Sequence, residues 1–424
     1  MTHMPRSTWL LLGSLYTTQF LGLGFLVVAL VAIMRDQGAT LDQVGMVYML
    51  GMVWPFKVLW APMIDKIRFG RYGHYRVWLL LMQGGLALVL LAMGFLDVIG
   101  DFPIIYLLGA LIAFLSASQD IAVDGLACRL LSPDQRGMGN GIQIAGGLLG
   151  NMLGGGVVLL TYPWLGWQGS LLLLAAGTSV SFLQVLWYDE PARAIVRAEG
   201  ATLFRCVAGF WTRAGGRYWL MLLMLNPIGC GLAYAVTIPV LVDRGWGMDR
   251  IGLMVNVFGS IAGIVAAFVT GSLLHRFSRR AVLVGAAFFQ VPGIAVILVP
   301  AVWGFGDGVA TLAVILYFLC YNPAATVLAT LMMDHASPRR PATDYTFQYS
   351  LNMGFAMGAM SLAAALAQRI GYGGVVILGA AVAVLVALLS MGYRSPSSDR
   401  EGEGAAGSLG VAAAPMALAR EKGA

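Results

Sequence analysis

The chain has 424 residues, 59% of them hydrophobic and only 11% charged, with a formal net charge of +6. An ordinary soluble domain is about a quarter charged, so this composition excludes a soluble globular fold and a disordered chain and points to a membrane. The positive balance sits in loops between apolar runs, which accounts for it without any nucleic-acid partner.

About 20 apolar residues of helix cross the hydrocarbon core of a bilayer. The sequence predicts twelve such spans: 9–34, 44–64, 77–98, 102–128, 138–161, 168–188, 218–241, 250–274, 281–303, 309–333, 345–367 and 374–393. The first is 26 uncharged residues without a small-residue cleavage site, so it is expected to stay as a helix rather than be removed as a signal peptide. Residues 139–188 form one uncharged stretch too long for a single span, and "YPWLGWQG" at 162–169 is the place to turn. An even count puts both termini on one side.

That side follows from the basic residues, which concentrate in short cytoplasmic loops. With the amino terminus inside, the inner loops take Arg6, then Lys66, Arg68, Arg71 and Arg76, then Arg129 and Arg136, then Arg193 through Arg217, then Arg276, Arg279 and Arg280, then Arg339 and Arg340. The outer loops hold Arg35, Arg244, Arg250 and Arg369. A multi-pass protein of the bacterial inner membrane with both termini cytoplasmic is therefore expected.

The longest inner loop, 189–217, divides the chain into an amino-terminal six-helix bundle (1–188) and a carboxy-terminal one (218–393). The tail 394–424 is small, polar and Gly-rich, a composition that predicts disorder. Two loop pairs repeat between the halves. "APMIDKIRFGRYGHYR" (61–76) aligns with "GSLLHRFSRR" (271–280), setting Asp65 opposite His275 and Lys66 opposite Arg276. "LLSPDQRGMGNGIQ" (130–143) aligns with "HASPRRPATDYTFQ" (335–348). Matches in register suggest duplication. They mark Asp65, Lys66, Arg136, His275 and Arg276 as candidate inner-gate residues.

Charge inside a span needs a reason, because an aspartate at mid-helix costs roughly 2.5–3.5 kcal/mol on insertion scales. Asp120 and Asp124 stand four apart in the fourth span, on nearly one helix face. Lys57, well inside the second span, is the candidate partner: it lies eight residues before Asp65, and Asp120 lies nine before Arg129, so the two share a depth. Asp124 should sit nearer the inner mouth, beside Arg129. This cluster either pins the first bundle or couples transport to protons and anchors a charged group of the cargo. The second bundle's spans carry no charge but offer Asn226 and Tyr234, then Tyr317, Tyr321 and Asn322, then Tyr345, Gln348 and Asn352. "GGLLGNMLGGG" (146–156) is a close-packing surface, with sliding against the second bundle as the alternative.

No enzyme is expected. The four histidines, His3, His74, His275 and His335, lie in loops or at termini, and no nucleophile or H-E-x-x-H motif appears. The four cysteines lack C-x-x-C spacing and read as free thiols, so neither a metal site nor a cofactor is expected.

Two six-helix halves with basic loops after the second and eighth spans resemble the major facilitator superfamily. "PFKVLWAPMID" (55–65) and "SQDIAVDG" (118–125) are similar to a branch holding muropeptide permeases, acetyl-coenzyme A transporters and siderophore permeases of the RhtX/FptX type, the pyochelin-type in particular. The resemblance implies an all-α major facilitator fold, a central cavity lined by the first, fourth, seventh and tenth spans, and thus Tyr16 and Gln19 added from the first. It further implies proton-coupled import of a ferric siderophore by alternating access, the iron arriving already chelated. The alternative is a muropeptide or sugar-peptide permease of the same branch, and outside that class a membrane sensor that binds without transporting.

Reporter fusions after Asp101, Trp246 and Gly371 should read as outside, and fusions after Gly70, Arg205 and Arg340 as inside. A cytoplasmic signal from the Gly371 fusion would break the twelve-span topology.

Overall fold

The structure, a computed structural model, describes residues 4–67, 69, 72–191, 202–303 and 306–394. The expected disordered tail from 395 onward and the basic residues Arg68, Arg71, Arg193 and Arg197 lie outside the described residues. Every regular element among the described residues is helical.

Nine helices of the described residues are long and apolar enough to cross a membrane. Two of them are double. Gly166 (φ 61°, ψ −167°) breaks the helix Val158–Trp187, and Gly371 (φ 71°, ψ 168°) breaks Pro341–Ser390. Both glycines occupy left-handed backbone space that a side chain makes costly, and each reverses the chain into the next span. The second span is absent from the nine because tight turns at Leu50–Met52 and Lys57–Leu59 interrupt the helical segment 41–66. Counting it gives the twelve spans expected, and the turn at 162–169 falls where the sequence placed it.

Described basic residues from several loops meet at one end, the basic end: Arg136 and Arg279 share Asp334, and Arg213 donates to the His335 carbonyl. Within the connector between the halves, a helix Leu203–Thr212, capped by Thr202, buries Cys206 and Phe210.

Glycine sets the distance between spans. A Cβ at Gly150 would stand 2.3 Å from the Thr17 carbonyl oxygen, and one at Gly154 would stand 2.1 Å from that of Leu21. The 146–156 stretch thus packs the fifth span on the first, within one bundle. Contact between the bundles uses earlier glycines: a Cβ at Gly141 would stand 2.9 Å from the Ala267 carbonyl oxygen of the eighth span. The sliding alternative extends to Gly137 and Gly141, while 146–156 also meets the second bundle through Leu148 and Met152–Val157.

Replacing Gly150 by Val should force the first and fifth spans apart, at a cost of about 1–3 kcal/mol or more, as overpacking does. The readout is a lower melting temperature of the purified protein in detergent. A Gly150→Val protein as stable as the parent would refute this packing.

Candidate functional site

The basic half of the fourth span is wrapped by protein on all sides, and residues 115–127 are buried throughout. Into this shell project both aspartates. Lys57 is 0% exposed and Asp120 1%, and they form an ion pair through Lys57 Nζ and Asp120 Oδ2. Gln19 Nε2 donates to the other oxygen of Asp120 at 2.7 Å. The Lys57 ammonium also lies 5.0 Å from the Trp54 ring centroid and 4.3 Å from that of Tyr349, which belongs to the second bundle. The tight turn at Lys57–Leu59, following Pro55, swings this lysine inward off a regular helical path.

Asp124 is held differently. Its Oδ1 accepts from Tyr16 Oη at 3.1 Å and from Gln143 Nε2 at 2.9 Å. Gln143 Oε1 in turn accepts from Tyr345 Oη at 2.9 Å, so a relay runs from Asp124 across the bundle interface. Asp124 Oδ2 is buried without a hydrogen-bond partner among the described residues. Arg129, expected beside Asp124, places its guanidinium 4.8 Å from the Tyr75 ring centroid, because the helix turn that separates them points it toward the third span.

The bundles are joined at the basic end by two further sets of bonds. Asp65 Oδ2 accepts from the Thr343 backbone N–H at 2.7 Å and its hydroxyl at 2.6 Å, while Oδ1 accepts from Tyr75 Oη at 2.7 Å. Asp334 pairs with Arg136 at 2.8 Å and with Arg279 at 3.0 Å, and Arg279 also donates to the Pro133 carbonyl. Among the described residues, all hydrogen bonds and ion pairs joining the bundles lie between mid-span and the basic end. At the other end the bundles meet through Met152–Val157 and Leu253–Phe258. The basic end is the bonded one.

Asp65 and Arg136 of the expected gate set make these contacts. Lys66, His275 and Arg276 are exposed, and Arg279, three residues further on, takes the place expected of the second loop because the eighth span ends at Arg276 and the ninth begins with it. Asp334, Arg279 and Thr343 were not legible as gate residues: each stands at a helix end, where a charge or hydroxyl ordinarily faces water. An acid beside a basic loop in each half, Asp65 and Asp334, is the signal that could have found them.

The aromatic set divides too. Tyr317 stacks between Tyr234 (6.3 Å) and Tyr321 (6.0 Å), and Tyr345 stacks on Tyr349 (6.4 Å). The Tyr317 hydroxyl donates to the Cys230 carbonyl at 3.0 Å, and its ring faces are taken up by the two neighbouring tyrosines. Of the residues expected in the cavity, Tyr234, Tyr321 and Asn352 keep partial exposure, while Tyr16, Gln19, Asn226, Tyr317, Asn322, Tyr345 and Gln348 are buried. Three of the amides serve packing rather than a cavity. Gln348 accepts from Trp219 Nε1 at 2.6 Å and donates to the Met332 carbonyl, Asn322 donates to the Phe318 carbonyl of its own helix, and Asn352 donates to that of Leu223. A buried amide in a membrane satisfies the nearest free carbonyl first.

A helical membrane protein with two bundles closing on a buried polar centre is the architecture of a transporter. The chain belongs to the Major Facilitator Superfamily, whose family model matches residues 12–351. Over 259 residues it is 34% identical to the anhydromuropeptide permease of Escherichia coli K12, an alignment covering 59% of this chain and 52% of that protein. It is 24% identical over 257 residues to the putative transporter AmpG 4 of Rickettsia conorii, covering 57% of this chain and 62% of that one. The matches thus span about half to three-fifths of these relatives. Among solved structures, the human organic anion transporter MFSD10 superposes with a TM-score of 0.74 at 16% identity, covering 91% of this chain and all 100% of that one. A bacterial homologue of the iron transporter ferroportin in an outward-facing state superposes with a TM-score of 0.65 at 15% identity, covering 92% and 99%. At these identities the structures speak for the fold alone.

Removing one half of a buried ion pair leaves an uncompensated charge at a cost of about 3–5 kcal/mol, while removing both is often tolerated. Lys57→Ala and Asp120→Asn should each lower folded yield and melting temperature in detergent, and the double variant should recover part of the loss. Single variants as stable as the parent would show that the pair contributes nothing to folding.

Proposed function

We propose that this transporter carries a sugar-peptide of the muropeptide class inward across the bacterial inner membrane, in exchange for no other solute and together with protons. The observation that carries the cargo reading is the 34% identity to the anhydromuropeptide permease. It favours the branch's sugar-peptide alternative over the ferric siderophore expected first from the sequence.

The chemistry of the site suits that cargo. A peptide brings carboxylates, and the Lys57 cation, paired with Asp120 here, would receive one only by exchanging that partner, since an unpaired charge is costly in this medium. A sugar ring offers a C–H face that packs on aromatic rings, and the Tyr234, Tyr317 and Tyr321 rings stand in a stack beside a second pair, Tyr345 and Tyr349. Rocking of the two bundles would break the bonds at the basic end and open the centre to the cytoplasm.

Rocking also distinguishes the two aspartates. The Lys57–Asp120 pair lies within one bundle and can travel with it, leaving behind the Tyr349 ring that covers the ammonium from the second bundle. The Asp124 relay crosses the interface at its last link, from Tyr345 to Gln143, and that link parts when the basic end opens, whereas Tyr16 and Gln143 travel with Asp124. The sequence alone favours Asp120 as the coupling carboxylate; the relay gives Asp124 the stronger claim.

Everted and right-side-out vesicles loaded with a proton gradient test the cargo: labelled anhydromuropeptide should accumulate, and a ferric pyochelin-type chelate should not. Accumulation of the chelate alone would overturn the sugar-peptide reading, and binding without accumulation of either would identify a sensor. With the cargo in hand, Asp124→Asn should abolish uphill accumulation while sparing exchange, since the amide mimics the protonated acid. Asp120→Asn losing accumulation at normal folded yield, with Asp124→Asn unaffected, would return the coupling role to Asp120.

A further inference from the structure

The connector helix Leu203–Thr212 has two apolar faces. One is spent on the second bundle. Cys206 and Phe210 are fully buried there, with the Phe210 ring 5.6 Å from that of Phe347 and Cys206 Sγ donating to Asp344 Oδ1 at 3.2 Å. Burial and the Asp344 carboxylate push the Cys206 thiol well up, so it stays a protonated donor. The other face presents Phe204, Val207 and Trp211, which are 81%, 38% and 58% exposed. Their spacing of three and four puts them in one stripe along the helix.

A soluble surface seldom shows a Phe and a Trp so openly on a ten-residue helix. Position supplies the reason. Only residues 213–215 separate this helix from the span Gly216–Asp243, and three residues reach about 10 Å at most, so the helix cannot leave the membrane surface. Charge supplies the rest. Arg205 and Arg217 are exposed beside the stripe, and the Arg217 guanidinium lies 6.0 Å from the Trp211 ring centroid. Aromatic residues flanked by arginines at the basic end match a helix that lies in the plane of an anionic interface.

We propose that the connector helix inserts Phe204 and Trp211 into the cytoplasmic leaflet and that Arg205 and Arg217 bind the phosphodiester headgroups of anionic phospholipids there. The side assigned rests on the positive-inside reading of the loops and not on the cargo. The buried face then links lipid to gate. Asp344, which the thiol meets, also takes Arg340 at 2.8 Å, Arg213 at 3.9 Å and the Ser337 N–H at 3.0 Å. Its neighbour Thr343 is the residue that holds Asp65 across the bundle interface. A helix seated in anionic lipid steadies the start of the eleventh span in the bonded arrangement.

The test uses the full chain with Phe204→Cys carrying an environment-sensitive thiol fluorophore, reconstituted in phosphatidylcholine vesicles with or without phosphatidylglycerol, with the parent protein giving the background from its own cysteines. Emission should shift to the blue when phosphatidylglycerol is present. Adding Arg205→Gln and Arg217→Gln should remove at least half of that shift, as should raising salt to about 1 M, where screening acts within roughly 3 Å. Soluble glycerol phosphate should not reproduce it. A label that reports water in both vesicles overturns the proposal, and so does equal burial in both, which would mean apolar insertion without headgroup recognition. Both arginines are exposed, so an unchanged melting temperature of the double variant confirms that folding is not what the label reads.

Discussion

A charge in the middle of a membrane span has no water to turn to, and the whole centre of this transporter is arranged around that constraint. Lys57 meets Asp120, two aromatic rings cover the ammonium, and Gln19 takes the second carboxylate oxygen. Lys57, Asp120 and Gln19 come from the second, fourth and first spans, so the pair holds these three spans in one arrangement. The second span even gives up regular helix at Lys57–Leu59 to deliver its lysine. Hydrogen bonds lost at that turn are tolerated only because protein surrounds it on the inner side.

Composition and run length made the architecture legible. Span count, the turns at Gly166 and Gly371, and the basic end all follow from hydropathy, charge placement and glycine. The Lys57–Asp120 meeting was legible for a simple reason: two spans of the same direction can be compared for depth by counting residues. Azimuth is what counting cannot supply. Arg129 was misplaced because depth alone put it beside Asp124, whereas its direction takes it onto Tyr75. Gln348, Asn322 and Asn352 look like ligand groups in a sequence, yet each is consumed by a nearby carbonyl or indole. Polar side chains in lipid satisfy backbone before they satisfy anything else.

The bonded basic end was the least legible part. Its carboxylates, Asp65 and Asp334, stand at span ends, and a residue at a span end reads as solvated whether or not another bundle covers it. Asp334 becomes a bridge only because the fifth and ninth spans both start with an arginine within reach. The loop repeat pointed to the right region and to the wrong residues of the second half, since His275 and Arg276 turn outward. Sequence symmetry preserves where a gate lies better than which side chain makes it.

The kind of bond at the gate bears on how the protein moves. A large apolar interface between the bundles would be slow to part, because its free energy grows with area. Here the basic end is held by a few hydrogen bonds and partly exposed ion pairs, around glycines that let backbone meet backbone without interlocking side chains. Neutral hydrogen bonds contribute about 0.5–1.5 kcal/mol each and charged ones about 1.5–3 kcal/mol. These four bonds to Asp65 and Asp334 all end on carboxylates, so their sum is at most about 6–12 kcal/mol, less where the ion pairs are partly exposed, and differential binding of a cargo works against it. The chain of hydrogen bonds from Asp124 through Gln143 to Tyr345 spans the same interface, so the buried polar centre of the first bundle and the bonds at the basic end belong to one network.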